Sequence, residues 1–141
     1  MFEGMDEVFL DTSFAIALSS VNDRNHARAI QLADRLERQA TRLVTTQAIL
    51  LEIGNALSKQ RYRAAAIQLL ESFAADPTVE VVALTNDLYA DAFNLFKNRP
   101  DKEWGLVDCI SFVVMQRRGT INALTADEHF NQAGFCALLK C

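Results

Sequence analysis

Short apolar runs of strand character alternate along this chain with longer segments of helical period, and that alternation constrains its fold more than any other feature. Residues 8–11 read as a buried strand ending in a carboxylate, and Thr12 and Ser13 then offer hydroxyls to cap a helix from Phe14. Ala29, Ile30, Ala33, Leu36 and Ala40 recur at helical spacing after His26. Residues 43–45 form a second strand, and a helix follows through Ile49, Leu50, Ile53 and Leu57. Another helix covers 64–75 and stops at Asp76-Pro77. Residues 79–83 are a third strand, 87–97 a helix, 98–105 a polar loop and 106–118 a strongly apolar helix. A fourth strand at 121–124, a short helix at 127–132 and a fifth, edge strand at 135–139 complete the series. Strands alternating with helices predict an α/β fold with a mainly parallel sheet covered on both faces.

The 141 residues suit one domain, 1–141, and no Pro-, Gly- or Ser-rich stretch or internal repeat divides them. Residues 1–7 carry Glu3, Asp6 and Glu7 without a basic residue, the wrong charge for a signal peptide. The longest apolar run, 109–115, is far too short to cross a bilayer, so no membrane association is expected and a soluble cytoplasmic protein is. Cys109, Cys136 and Cys141 form no CxxC pair, which argues against a disulfide framework or a thiolate zinc site. Cys109 reads as a buried neutral thiol.

In parallel sheets, ligands bind beyond the carboxyl ends of the strands, where Asp11 and Asp127 fall. Two more acids lie in apolar settings. Glu52 interrupts Ala48-Ile49-Leu50-Leu51 and Ile53, and Asp108 is the sole charge between Gly105 and Met115. An ionised carboxylate among core residues is costly unless donors or a cation compensate it. Each acid alone is explained by helix capping or an ion pair. Four together, with no comparable set of buried bases, point to a shared cation. Oxygen ligands without His or Cys suit Mg²⁺ or Mn²⁺, and such ions assist phosphodiester cleavage by water.

The other candidates take plainer readings. His26 and His129 have no His or Cys partner at metal-ligand spacing, and Glu128 points to solvent. The nine phenylalanines are read as packing and not as base-stacking platforms. Trp104 serves either packing or the rim of a site. The net charge of −4 opposes nucleic-acid binding, offset by bound metal and by two basic groups, Lys59/Arg61/Arg63 and Arg117/Arg118, which serve equally well as helix-end solvation.

The run Phe9-Leu10-Asp11-Thr12-Ser13, then Leu51-Glu52-Ile53-Gly54-Asn55-Ala56-Leu57, Leu106-Val107-Asp108-Cys109-Ile110 and Leu124-Thr125-Ala126-Asp127-Glu128-His129-Phe130 resemble, in order and spacing, the four acidic motifs of the PIN-domain family. Within that family they are similar to the VapC-like toxins of prokaryotic toxin–antitoxin pairs. The resemblance implies a three-layer α/β/α domain and a Mg²⁺- or Mn²⁺-dependent endoribonuclease, with Asp11, Glu52, Asp108 and Asp127 as metal ligands. Ser13 is carried over as the residue that orients Asp11 or a metal-bound water. RNA substrate, a cognate antitoxin and a homodimer are implied partners.

Two rival readings fit these residues less well. A PIN-like module that binds RNA or protein without catalysis has no reason to keep four buried acids. A phosphatase with an aspartyl nucleophile at Asp11 would need a second Asp two residues on, where Ser13 stands.

Overall fold

The computed structural model describes residues 6–140; the reading of the amino terminus at residues 1–5 and the thiol of Cys141 lie outside them. The chain runs β1 (Glu7–Leu10), α1 (Thr12–Ser19), α2 (His26–Arg38), β2 (Arg42–Thr46), α3 (Gln47–Ala56), α4 (Gln60–Ala75) and β3 (Val79–Val82). It continues through α5 (Asn86–Asn98), α6 (Leu106–Arg118), β4 (Asn122–Leu124), α7 (Glu128–Gln132) and β5 (Cys136–Ala137).

Five strands form one parallel sheet in the order β3-β2-β1-β4-β5. Val8, Phe9 and Leu10 in succession are almost completely buried, as are Val44, Thr45 and Thr46. Successive strand residues point to opposite faces, so both faces of the sheet are covered. That is the expected three-layer α/β/α arrangement. Strand order reverses at β1: β2 lies on one side of it and β4 on the other, which opens a crevice at their carboxyl ends.

Local chemistry fixes the helices that enter this crevice. Thr46 caps α3 by accepting from the Ile49 N–H at 3.1 Å, so the helix starts directly off the end of β2. In α6 every residue from Cys109 to Met115 is buried, which makes it a helix packed on all sides. It ends at Gly119, whose φ of 69° lies in the left-handed region that favours glycine. Its contacts with α5 are the most extensive between any two elements.

Four expectations need correction. Helix α1 begins at Thr12 and not near Phe14; Asp11 stands at its N-cap, and neither hydroxyl caps it because both are turned to carboxylates. Helix α4 starts at Gln60, four residues before the expected 64, and β5 is a two-residue strand. The phenylalanines are not uniformly core: Phe93 and Phe96 on α5 are 39% and 43% exposed and stack in a row with Tyr89, with Lys97 over the Phe93 ring. Their spacing of three and four residues marks one helix face, but period alone did not say that this face points outward. Trp104 resolves as packing: it is buried edge-on against Phe112 and donates its indole N–H to Gln132 at 3.0 Å. Cys109 is buried as expected, and burial pushes its thiol pKa up.

Candidate active site

The Asp11 N–H donates to the Leu124 carbonyl at 3.2 Å, which carries the β1–β4 pairing one step past the strand ends. Asp11 therefore lies opposite Thr125, at the mouth of the crevice. The Thr125 hydroxyl donates to Asp11 Oδ2 at 2.7 Å. Ser13 Oγ lies 3.2 Å from the same oxygen and 3.1 Å from Thr125 Oγ1, and accepts from the Ala126 N–H at 3.0 Å. The Thr125 oxygen also accepts from the Asp127 N–H at 3.0 Å. Two hydroxyls thus tie the end of β1 to the turn after β4.

Glu52 reaches this mouth from α3. Its neighbours Ile49 and Ile53 are buried in the core, which turns Glu52 toward α1, where its Oε1 accepts from Thr12 Oγ1 at 2.6 Å. Asp108 comes from the first turn of α6, with Oδ2 accepting from the Gly105 N–H at 3.0 Å. Asp127 caps α7 by accepting from the His129 N–H at 2.9 Å. His129 Nδ1 lies 2.9 Å from Asp108 Oδ2 and 3.4 Å from Asp127 Oδ1. One ligand atom from each of Asp108, Asp127 and His129 fits within 4.8 Å of the other two.

Asp11 is the electrostatic centre of the group. It is 6% exposed, and burial raises its pKa from 3.8 to about 6. The Thr125 and Thr12 hydrogen bonds oppose that rise, while the charges of Asp108 and Glu52 add to it. Asp108 and Glu52 thus lie near enough for Asp11 to sense their charge. Burial lowers the pKa of His129, but the hydrogen bond to Asp108 and the charges of Asp127, Asp108 and Glu103 outweigh it, so the net direction is up. Among the described residues, the partners seen at the four acids are hydroxyls, backbone N–H groups and one imidazole, with no guanidinium or ammonium group.

The PIN domain family model matches residues 8–135, from the first strand to the last turn before β5. The chain belongs to the PIN-domain family. Its curated relatives include the 23S rRNA-specific endonuclease VapC20 of Mycobacterium tuberculosis, 30% identical over 128 residues that make up 91% of this chain and 95% of the relative. The crystal structure of M. tuberculosis VapC20, described as a sarcin–ricin loop cleaving toxin, superposes with a TM-score of 0.79 at 29% identity, over 91% of this chain and 95% of that one. VapBC2 from Rickettsia felis, solved bound to a DNA fragment from its promoter, shares the fold with a TM-score of 0.64 at 12% identity, over 93% and 96% of the two chains.

In this PIN domain all five residues singled out from the sequence, Asp11, Ser13, Glu52, Asp108 and Asp127, meet at one end of the sheet. Glu128 points away, paired with Lys140 at 3.2 Å on the surface. Thr125 escaped the sequence reading, whereas Thr12 was read as a helix cap and His129 was set aside for want of a His or Cys partner; both stand at the site, bonded to Glu52 and Asp108. Thr125 becomes visible once β1 and β4 are paired, because it is then the residue opposite Asp11. His129 lies two residues past Asp127, and its partner Asp108 is remote in sequence. The basic groups divide differently from the expectation. Arg117 and Arg118 are held by Asp91, Glu7 and Glu80 at the far end of α6. Arg24 and Lys140 instead line a depression with Asn25, Ala126 and Leu139, one residue from Asp127.

Proposed function

We propose that this protein is a divalent-metal-dependent endoribonuclease that hydrolyses RNA phosphodiester bonds. In this reading Asp11, Glu52, Asp108 and Asp127 hold Mg²⁺ or Mn²⁺, and Ser13 orients Asp11. The observation that carries it is the convergence of four carboxylates at the β1–β4 crevice around a buried Asp11 that, among the described residues, is held by hydroxyls and by no basic side chain. The donor set fits a hard cation: carboxylate oxygens, two of them steadied from behind by hydroxyls at Asp11 and Glu52. When bound there, a divalent ion supplies charge that offsets the carboxylates, lowers the pKa of an attacking water and stabilises the leaving oxygen. The chain's own groups do the positioning. Thr125 and Ser13 fix Asp11 Oδ2, Thr12 fixes Glu52, and Arg24 offers charge to the RNA backbone beside Ala126.

The likeness to VapC20 over nearly its whole length extends the reading to the toxin of a toxin–antitoxin pair. It makes the sarcin–ricin loop of 23S rRNA the first RNA to test. An antitoxin partner, a homodimer, a cytoplasmic site of action and a single nuclease unit over residues 1–141 belong to the same proposal. The exposed side chains of Leu51, Tyr62 and Ile67 on the α3–α4 pair are the apolar surface offered for the dimer; a monomer mass by light scattering would remove that part alone.

The test is cleavage of a labelled sarcin–ricin RNA and of an unrelated structured RNA in Mg²⁺, Mn²⁺ or EDTA, with Asp11→Asn and Asp108→Asn alongside. Cleavage that requires metal and is lost in both variants is expected. Cleavage that persists in EDTA or in both variants would refute the reading.

A further inference from the structure

Among the described residues His129 is the one basic group seen in contact with the four acids, and nothing in the reading above uses it. Its two donors point to different carboxylates on different helices. The backbone N–H donates to Asp127 Oδ1 at 2.9 Å, within α7, and the ring Nδ1–H donates to Asp108 Oδ2 at 2.9 Å, on α6. An ionised carboxylate only accepts, so the ring nitrogen is the donor in that contact. Asp108 Oδ2 also accepts from Gly105 N–H, so this oxygen is held from two sides. The backbone half of the grip is fixed by the turn that starts α7. Phe130, the next residue, is completely buried against Phe9 and Phe112, so the turn itself has little freedom.

We infer that His129 is a positioning residue that clamps Asp108 to Asp127, setting the distance between two metal-binding carboxylates through its ring Nδ1–H. Without the ring, Asp108 keeps only the Gly105 N–H and gains rotational freedom about its own side chain. The two acids would then meet a cation with an unfixed spacing. The residue two positions after Asp127 thereby does for the site what a carboxylate does for a metal-bound imidazole elsewhere: it orients a ligand without being one. The inference rests on the metal-dependent reading of the four acids.

The experiment measures Mn²⁺ affinity by electron paramagnetic resonance, with metal-free melting temperature as the check on folding, for wild type, His129→Ala, His129→Asn and His129→Gln. The amide nitrogen of Asn occupies the place of Nδ1 relative to the backbone, whereas that of Gln occupies the place of Nε2. The expected result is a loss of about 10- to 100-fold in Mn²⁺ affinity for Ala, recovery to within about threefold of wild type for Asn, and less recovery for Gln. Unchanged affinity in His129→Ala would overturn the clamp while leaving the metal site standing. A directly coordinated ring nitrogen in the spin-echo spectrum of the wild-type Mn²⁺ complex would also overturn it. Wild type that binds no Mn²⁺ would refute the metal reading itself, and the clamp with it. If His129→Ala melts far below wild type, the Asn and Gln pair decides: equal affinity in the two would count against the clamp.

Discussion

The two ends of the sheet carry carboxylates in opposite circumstances. At the amino-terminal end, Glu7 on β1 accepts from Arg118 at 2.6 and 2.9 Å and from Thr120 at 2.8 Å, and Glu80 on β3 accepts from the same guanidinium at 3.0 and 3.1 Å. The Arg118 hydrogen bonds hold Glu7 below the usual carboxylate range. At the carboxyl end, Asp11 follows the same strand only four residues later and is pushed up to about 6 by burial and by its acidic neighbours. Strand β1 thus begins with a carboxylate that a guanidinium satisfies and is followed by one that, among the described residues, is held by hydroxyls and not by a guanidinium or ammonium group. The guanidinium at the lower end fastens elements together. The hydroxyls at the upper end fix geometry without supplying charge, which leaves the charge to come from a ligand.

The largest expected difference between the two ends is catalytic. Asp11→Asn or Asp108→Asn should lower the rate of RNA cleavage by about a thousandfold or more, while Glu7→Gln should leave it within about threefold. Steady-state kinetics on the three variants checks this. Equal losses at both ends would erase the distinction.

Stability should move the opposite way. The rise of the Asp11 pKa from 3.8 to about 6 corresponds to a preference for the protonated form of about 3 kcal/mol. A carboxyl raised on folding binds more protons in the native state between those values, so stability falls as pH rises through that window. His129, also raised, contributes stability that is lost as pH climbs above its folded value. Metal-free protein should therefore melt at a lower temperature at pH 8 than at pH 5, and Asp11→Asn should raise the melting point at pH 8. Arg118→Ala should lower it, by about 1 kcal/mol for a partly exposed ion-pair network. Calorimetry in EDTA at the two pH values provides the test.

Thr125→Val sharpens the comparison by removing the donor to Asp11 Oδ2 while keeping its shape. Metal affinity should drop by about 10- to 100-fold, measured by Mn²⁺ titration. The smallest effect is expected outside the acids. Arg24→Ala should raise KM for RNA several-fold, leave kcat unchanged and reduce the salt slope of binding by about one.

The strand and helix series was legible because the strands centre on short apolar runs such as Val8-Phe9-Leu10 and Ala123-Leu124, and such runs require cover on both faces. The four acids were legible for the reverse reason: each interrupts a run that the core would otherwise claim. Thr125 and Thr12 were not, because a threonine near a strand end is ordinary until the pairing of β1 with β4 shows what lies opposite. His129 was hidden by the same dependence on a partner remote in sequence. Phe93 and Phe96 misled because helical spacing reports that a face exists and not whether it is covered. Arg117 and Arg118 looked available for RNA only while the carboxylates of Glu7, Glu80 and Asp91 were unplaced.

The most direct test is a crystal of the protein soaked in Mn²⁺, with the ion located by its anomalous scattering. The account predicts density at the β1–β4 crevice, about 2.0–2.3 Å from carboxylate oxygens that include those of Asp11 and Asp108. Density at Glu7 and Glu80 instead, or none at the crevice under conditions that support cleavage, would contradict it.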